Sequence, residues 1–277
     1  MNSPTRTWFK QHSLIAFFAL SYAIAWVIWI LAGILAPDLL TALILVGVWA
    51  PTVSAILLTG IISGKAGIRE LLRRGLYWRV GIQWYAIVLF GIALIGAAAI
   101  AIHVALGGTV PQLTIPSGQL YILLPILYLS NIFIGGPIAE EFGWRGFALP
   151  KLQARIGALY AGLLIGVIWG LWHLPFFIFL EGASVIGNIP FVWYLPLVTA
   201  WSVMFAWIYN NTNGSVLMMI LFHAAINTTL GSLGLFQITS EGARPLLLNV
   251  VLTWVVVAII AAVFGSAQLS RKRTSVE

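Results

Sequence analysis

The chain has 277 residues, of which 61% are hydrophobic, 13% aromatic and only 8% charged. Soluble domains hold about 45–50% apolar and 25% charged residues, so this composition belongs in a bilayer; it excludes a disordered chain, an ordinary cytosolic enzyme and a nucleic-acid binder. The net charge of +7 reflects a shortage of acids, and with no cysteine any chemistry must use Glu, Asp, His, Ser or Tyr.

A membrane-crossing helix needs roughly 20 residues without a stranded charge, so charges divide the chain into spans. The first run, Ser13–Pro37, is too long for a secretory segment and lacks a small-residue cleavage site, so it reads as a retained helix. Leu39–Gly64 follows. The basic stretch Gly64–Tyr85, with Leu and aromatics at roughly helical spacing, fits a helix in the headgroup layer or a plain basic loop equally well. Val80–Ala139 and Gly182–Ser240 each hold two spans, broken at the turn-rich segments Gly107–Gln119 and Asn210–Ser215. Ile156–Leu180 and Pro245–Ser270 hold one each, and Glu181–Pro190 is a further break. The expectation is an all-α polytopic membrane protein, a single transmembrane domain over 1–277, with eight spans at about 14–36, 40–62, 84–106, 119–140, 157–180, 191–210, 215–236 and 246–268.

Basic residues in short loops face the cytoplasm. Eight spans put both termini on one side, and that side receives Arg6, Lys10, Lys65, Arg69, Arg73, Arg74, Arg79, Arg145, Lys151, Arg155, Arg271, Lys272 and Arg273. Only Arg244 falls opposite, beside Asp38, Glu181 and Glu241. An integral protein of the plasma membrane with both termini cytoplasmic is expected.

Four ionisable groups remain in or at the edge of the hydrocarbon: Glu140, Glu141, His173 and His223. Each costs on the order of 2.5–3.5 kcal/mol by insertion scales, so together they point to a shared polar site. On a helix Glu141 and Arg145 share a face, whereas Glu140 is turned about 100° away. The pair therefore reads as structural and the other carboxylate as chemical. Pro175 should kink the helix just after His173 and make room for water. His223 and Asn227, four apart, form one polar stripe. His12 and His103 have no such company and read as structural. The set suits hydrolysis, an acid–imidazole pair activating water while a second imidazole and a carboxamide stabilise an oxyanion. Glu140, His173 and His223 also make a possible zinc triad. The rival is a proton-coupled transporter using the Glu/His set as a relay, although the internal repeat usual in transporters is not visible.

The chain has no HExxH, GxSG or GxGD motif. It has, in order, EExxxR at Glu140–Arg145, an aromatic four residues before a histidine at Trp169–His173, and HxxxN at His223–Asn227. This trio resembles the CPBP family, the CAAX-processing and bacteriocin-processing intramembrane proteases also grouped as Abi-like. The resemblance covers about Leu120–Gly231, a CPBP-like catalytic core at 120–231, and departs from the family at Trp169, where Phe is common. It implies an eight-span bundle enclosing a conical catalytic cavity, and an intramembrane endopeptidase acting on membrane-associated or lipidated peptides and proteins. It further implies that Glu140 with His173 activates water, that His223 with Asn227 binds the oxyanion, and that Glu141, Arg145 and Trp169 support the site. The family name implies a metalloprotease, with zinc on Glu140, His173 and His223 if present. The spacing favours a metal-free site, because zinc would consume both imidazoles and the only available base, and would leave His173 without a neighbouring acceptor.

Overall fold

The computed structural model describes residues 4–111, 117–180, 189–233 and 243–271. Glu181, Glu241, Lys272 and Arg273, and most of the breaks expected at 107–119 and 181–190, lie outside the described residues. Every regular element among the described residues is helical. In chain order these are α1 (Pro4–Gln11), α2 (Ser13–Leu35), α3 (Leu40–Gly47), α4 (Ala50–Arg73), α5 (Ile82–Ala105), α6 (Leu120–Phe133), α7 (Pro137–Glu141), a π-helix (Phe142–Ala148), α8 (Leu149–Ile156), α9 (Ala158–Trp172), α10 (Pro175–Ile178), α11 (Phe191–Asn211), α12 (Val216–Ser232) and α13 (Arg244–Phe264). The chain is an all-helical polytopic membrane protein.

Among the described residues, six helical segments are long and apolar enough to cross a bilayer: Ser13–Leu35, Ala50–Leu76, Ile82–Ala105, Leu120–Ile156, Phe191–Asn211 and Arg244–Phe264. The two expected spans that carry the histidines are shorter helices, α9 with 15 residues and α12 with 17. At 1.5 Å per residue α9 covers only about 22 Å, less than the roughly 30 Å of a hydrocarbon core.

Three local expectations are corrected. The span at 40–62 is two helices, because Pro51 has no N–H to donate to the Gly47 carbonyl and the ladder is interrupted between α3 and α4. Pro175 does not kink a continuous helix: α9 ends at Trp172, and Pro175 opens the one-turn α10. Arg145, assigned to a cytoplasmic loop, is 1% exposed inside the protein.

α11 and α12 are buried along most of their length and form the centre of the bundle. α9 packs on α11 through Gly162, Gly166 and Gly170, one face at spacing four. A methyl group at Gly166 would lie 2.5 Å from the Thr199 Cα, and one at Gly162 would lie 2.9 Å from the Val203 Cα. Without such glycines the two backbones could not approach so closely. α4 breaks at Gly64, whose φ of 66° is left-handed, and the chain then turns back on itself. Contacts gather the basic segments at one end of the bundle: Arg6 donates to the Ile62 carbonyl at 2.8 Å, Arg74 to the Tyr209 hydroxyl at 3.0 Å, and Asn210 to the Gln268 carbonyl at 2.7 Å. Arg244 bonds the Leu106 carbonyl, at the far end of α5.

Candidate active site

Glu140 sits on α7, directly after the sequence Gly135–Gly136–Pro137. Pro137 opens the helix, where its missing N–H costs nothing. Gly136 has φ 101°, and a methyl group there would stand 2.6 Å from Glu140 Oε1, so glycine serves both the turn and the carboxylate. Glu140 is 3% exposed. Its Oε2 accepts two indole N–H bonds, from Trp169 at 2.7 Å and Trp144 at 3.2 Å, which directs the remaining hydrogen-bonding capacity through Oε1. Trp144 was not anticipated, although its place four residues after Glu140 is the signal that could have found it.

Glu141 is fully buried and accepts Arg145 Nη1 at both oxygens, at 2.8 and 3.1 Å. The guanidinium lies between the Trp169 ring, 4.2 Å from its centroid, and the Phe205 ring at 3.8 Å. Glu141 also meets His223 Nδ1 at 2.7 Å, a contact spanning 82 positions that no local pattern announces. Because both Glu141 oxygens accept from Arg145, the carboxylate is ionised and His223 Nδ1 is the donor. Similarly His173 Nδ1 meets the Trp169 carbonyl at 2.8 Å. A carbonyl can only accept, so Nδ1 carries the proton and the Nε2 of a neutral His173 keeps a lone pair. The sequence had supplied His173 with no such acceptor.

A cavity of about 250 Å³ joins these groups: Glu140, Trp169, His173, His223 and Asn227 all line it, with Val48, Asn131, Gly135, Tyr194, Trp201, Ile226 and Gly231. Glu141 and Arg145 stand behind its wall. Glu140 is the only carboxylate among the lining residues. Asn227 Nδ2 donates to the Gly135 carbonyl at 3.0 Å, which fixes the carboxamide and leaves one N–H. No hydrogen bond joins Glu140 to His173 among the described residues; both border the same cavity. Tyr194 and Trp201 were also missed. They lie seven apart on α11, and their seclusion from solvent, 3% exposure each, depends on packing that the sequence does not reveal. Glu140, His173 and His223 border this one cavity, while among the described residues no group of three or more His, Cys, Asp or Glu side chains is arranged to hold a metal ion.

The fold and this cavity define a polytopic helical membrane protein with an interior carboxylate–imidazole–carboxamide site. Residues 121–229 match the family model described as type II CAAX prenyl endopeptidase, Rce1-like. The motif trio of Glu140–Arg145, Trp169–His173 and His223–Asn227 falls inside the matched segment. The chain is also similar to a protein named CAAX prenyl protease 2 from Methanococcus maripaludis, 29% identical over 153 residues, 51% of this chain and 53% of that protein. The match thus spans about half the length of the curated relative.

Proposed function

We propose that the protein is an intramembrane endopeptidase that hydrolyses peptide bonds of membrane-associated or lipidated proteins and peptides. The observation that carries this reading is the convergence of Glu140, His173, His223 and Asn227 on one enclosed cavity. The comparisons support the same class and lend none to the transporter. Glu140 takes one proton of a bound water whose other hydrogen donates to His173 Nε2, and the water oxygen attacks the scissile carbonyl. The oxyanion is held by the second Asn227 N–H and by His223. Since His223 Nδ1 already donates to Glu141, donation from Nε2 requires the imidazolium, whose positive charge the ionised Glu141 supports. Glu140 then passes its proton to the leaving amine, so that one water and one peptide bond become a carboxyl group and an amine. Prenylated proteins are the substrate class that the relative's name suggests. The distribution of bases supports cytoplasmic termini, and the membrane proposed is the plasma membrane.

The site works without a resident metal on this reading, supported by Glu140 being the only carboxylate among the lining residues, so that a metal would take the one available base. Elemental analysis of purified active protein tests it: less than about 0.1 metal per chain is expected, with cleavage unaffected by chelators. About one zinc per chain, with activity lost to a chelator and restored by zinc, would make the two histidines ligands instead. The activity itself is tested with a farnesylated peptide in proteoliposomes, products being read by mass spectrometry. Glu140→Gln should lower the rate by about 10²–10⁴, the usual scale of general acid–base catalysis, at an unchanged melting temperature.

A further inference from the structure

A second cavity, of about 460 Å³, lies at the basic end of the bundle and is lined by Thr59, Ser63, Arg74, Gly146, Phe147 and Lys151, among others. The elbow at Gly64 builds it. A methyl group at Gly67 would lie 3.0 Å from the Thr59 side chain, whereas eight residues along a straight helix span about 12 Å; the second half of α4 therefore folds back across the end of the first. The π-helix and α8 close the opposite wall.

Two cations meet there. Arg74 Nη1 donates to the Gly146 carbonyl at 3.3 Å and to the Tyr209 hydroxyl at 3.0 Å, and its Nε lies 3.8 Å from Glu70 Oε1. Glu70, which also lines the cavity, is shared between Arg73 at 3.0 Å and Arg74, so one carboxylate faces the three cations Arg73, Arg74 and Lys151. Lys151 Nζ sits 3.8 Å over the Phe147 ring and makes no hydrogen bond or ion pair among the described residues. A half-buried ammonium beside a guanidinium calls for an anion, and the two hydroxyls of Thr59 and Ser63 add neutral donors. We propose that this elbow binds a phosphate group, that of an anionic phospholipid headgroup. The position fits, because the basic end of a membrane protein sits at headgroup level. Gly146 and Phe147 belong to the π-helix that follows Glu141, so an occupant also steadies the segment carrying Arg145.

The test is a titration of the whole protein in neutral detergent with short-chain phosphatidylglycerol, short-chain phosphatidylcholine or inorganic phosphate, read as a shift in melting midpoint. Saturable stabilisation by phosphatidylglycerol, absent with phosphatidylcholine, is expected. Lys151→Gln should weaken the apparent affinity about five-fold, the contribution of one lysine at an anionic surface. Lys151→Arg should retain it, and so should Arg155→Gln, which removes an exposed base one turn further along α8. Saturable, Lys151-dependent stabilisation by inorganic phosphate alone would uphold the phosphate site and assign it to the free anion. Equal weakening by Lys151→Gln and Arg155→Gln, or equal stabilisation by phosphatidylcholine, would overturn the proposal.

Discussion

Two adjacent glutamates divide their work by what lies four residues on. Glu140 meets an indole and Glu141 a guanidinium. That much was readable as helical spacing, but the contacts of Glu140 with Trp169 and of Glu141 with His223 arise from helices far apart in sequence. Trp169 shows the consequence: the resemblance gave it only a supporting part, whereas its N–H holds the Glu140 carboxylate and its ring faces Arg145. Trp169→Phe keeps the ring and loses the bond, so kcat should fall roughly ten-fold, about 1.5 kcal/mol for a hydrogen bond to a charged group, with KM little changed. A kcat within two-fold of wild type would show that Trp144 alone positions Glu140. Glu141→Gln strands Arg145 and weakens the support of His223. Because breaking a buried pair costs about 3–5 kcal/mol, it should lower the melting temperature strongly, where Glu140→Gln does not; equal melting of both variants would contradict this division.

Turns and close approaches decide how the elements meet, and these were the least legible parts. Hydropathy located α2, α5 and α13 well because each is apolar throughout and bounded by charge or turn residues. It merged α3 with α4 and ran α9 into α10, since interior proline breaks leave an apolar run apolar. The stripe of Gly162, Gly166 and Gly170 likewise carries no hydropathy signal, yet it sets the distance from α9 to α11 and hence from Trp169 and His173 to the cavity wall formed by Tyr194 and Trp201. Gly166→Ala should therefore destabilise the protein, despite the gain of up to about 1 kcal/mol that alanine brings to a helix. Gly91→Ala, whose added methyl would find its nearest neighbour at 3.9 Å, should be neutral or stabilising. Thermal melting of the two variants decides, and the same sign for both would remove the close-packing argument. Gly136→Ala should cost stability through the strain of alanine at φ 101° and also lower cleavage, because its methyl group would displace Glu140 Oε1.

At the scale of the whole molecule, composition alone defined a polytopic bundle, and the charge pattern gathered the bases at one end. The exception was Arg145, which the loop-counting argument misplaced because an interior guanidinium paired with a carboxylate is indistinguishable from a loop base in a one-dimensional count. Reporter fusions after Gln11 and Ser270 should both read cytoplasmic, and a fusion near Arg244 should read external; termini on opposite sides would refute the orientation. The two shorter helices, α9 ending just before His173 and α12 carrying His223, bring both imidazoles to the wall of one enclosure. The account stands or falls on what that enclosure does. Purified protein in proteoliposomes containing a farnesylated peptide should, with no ion gradient imposed, release two peptide products whose summed mass exceeds the substrate by one water. Vesicles that acidify or take up solute while every such peptide stays intact would contradict a protease and favour a Glu/His proton relay.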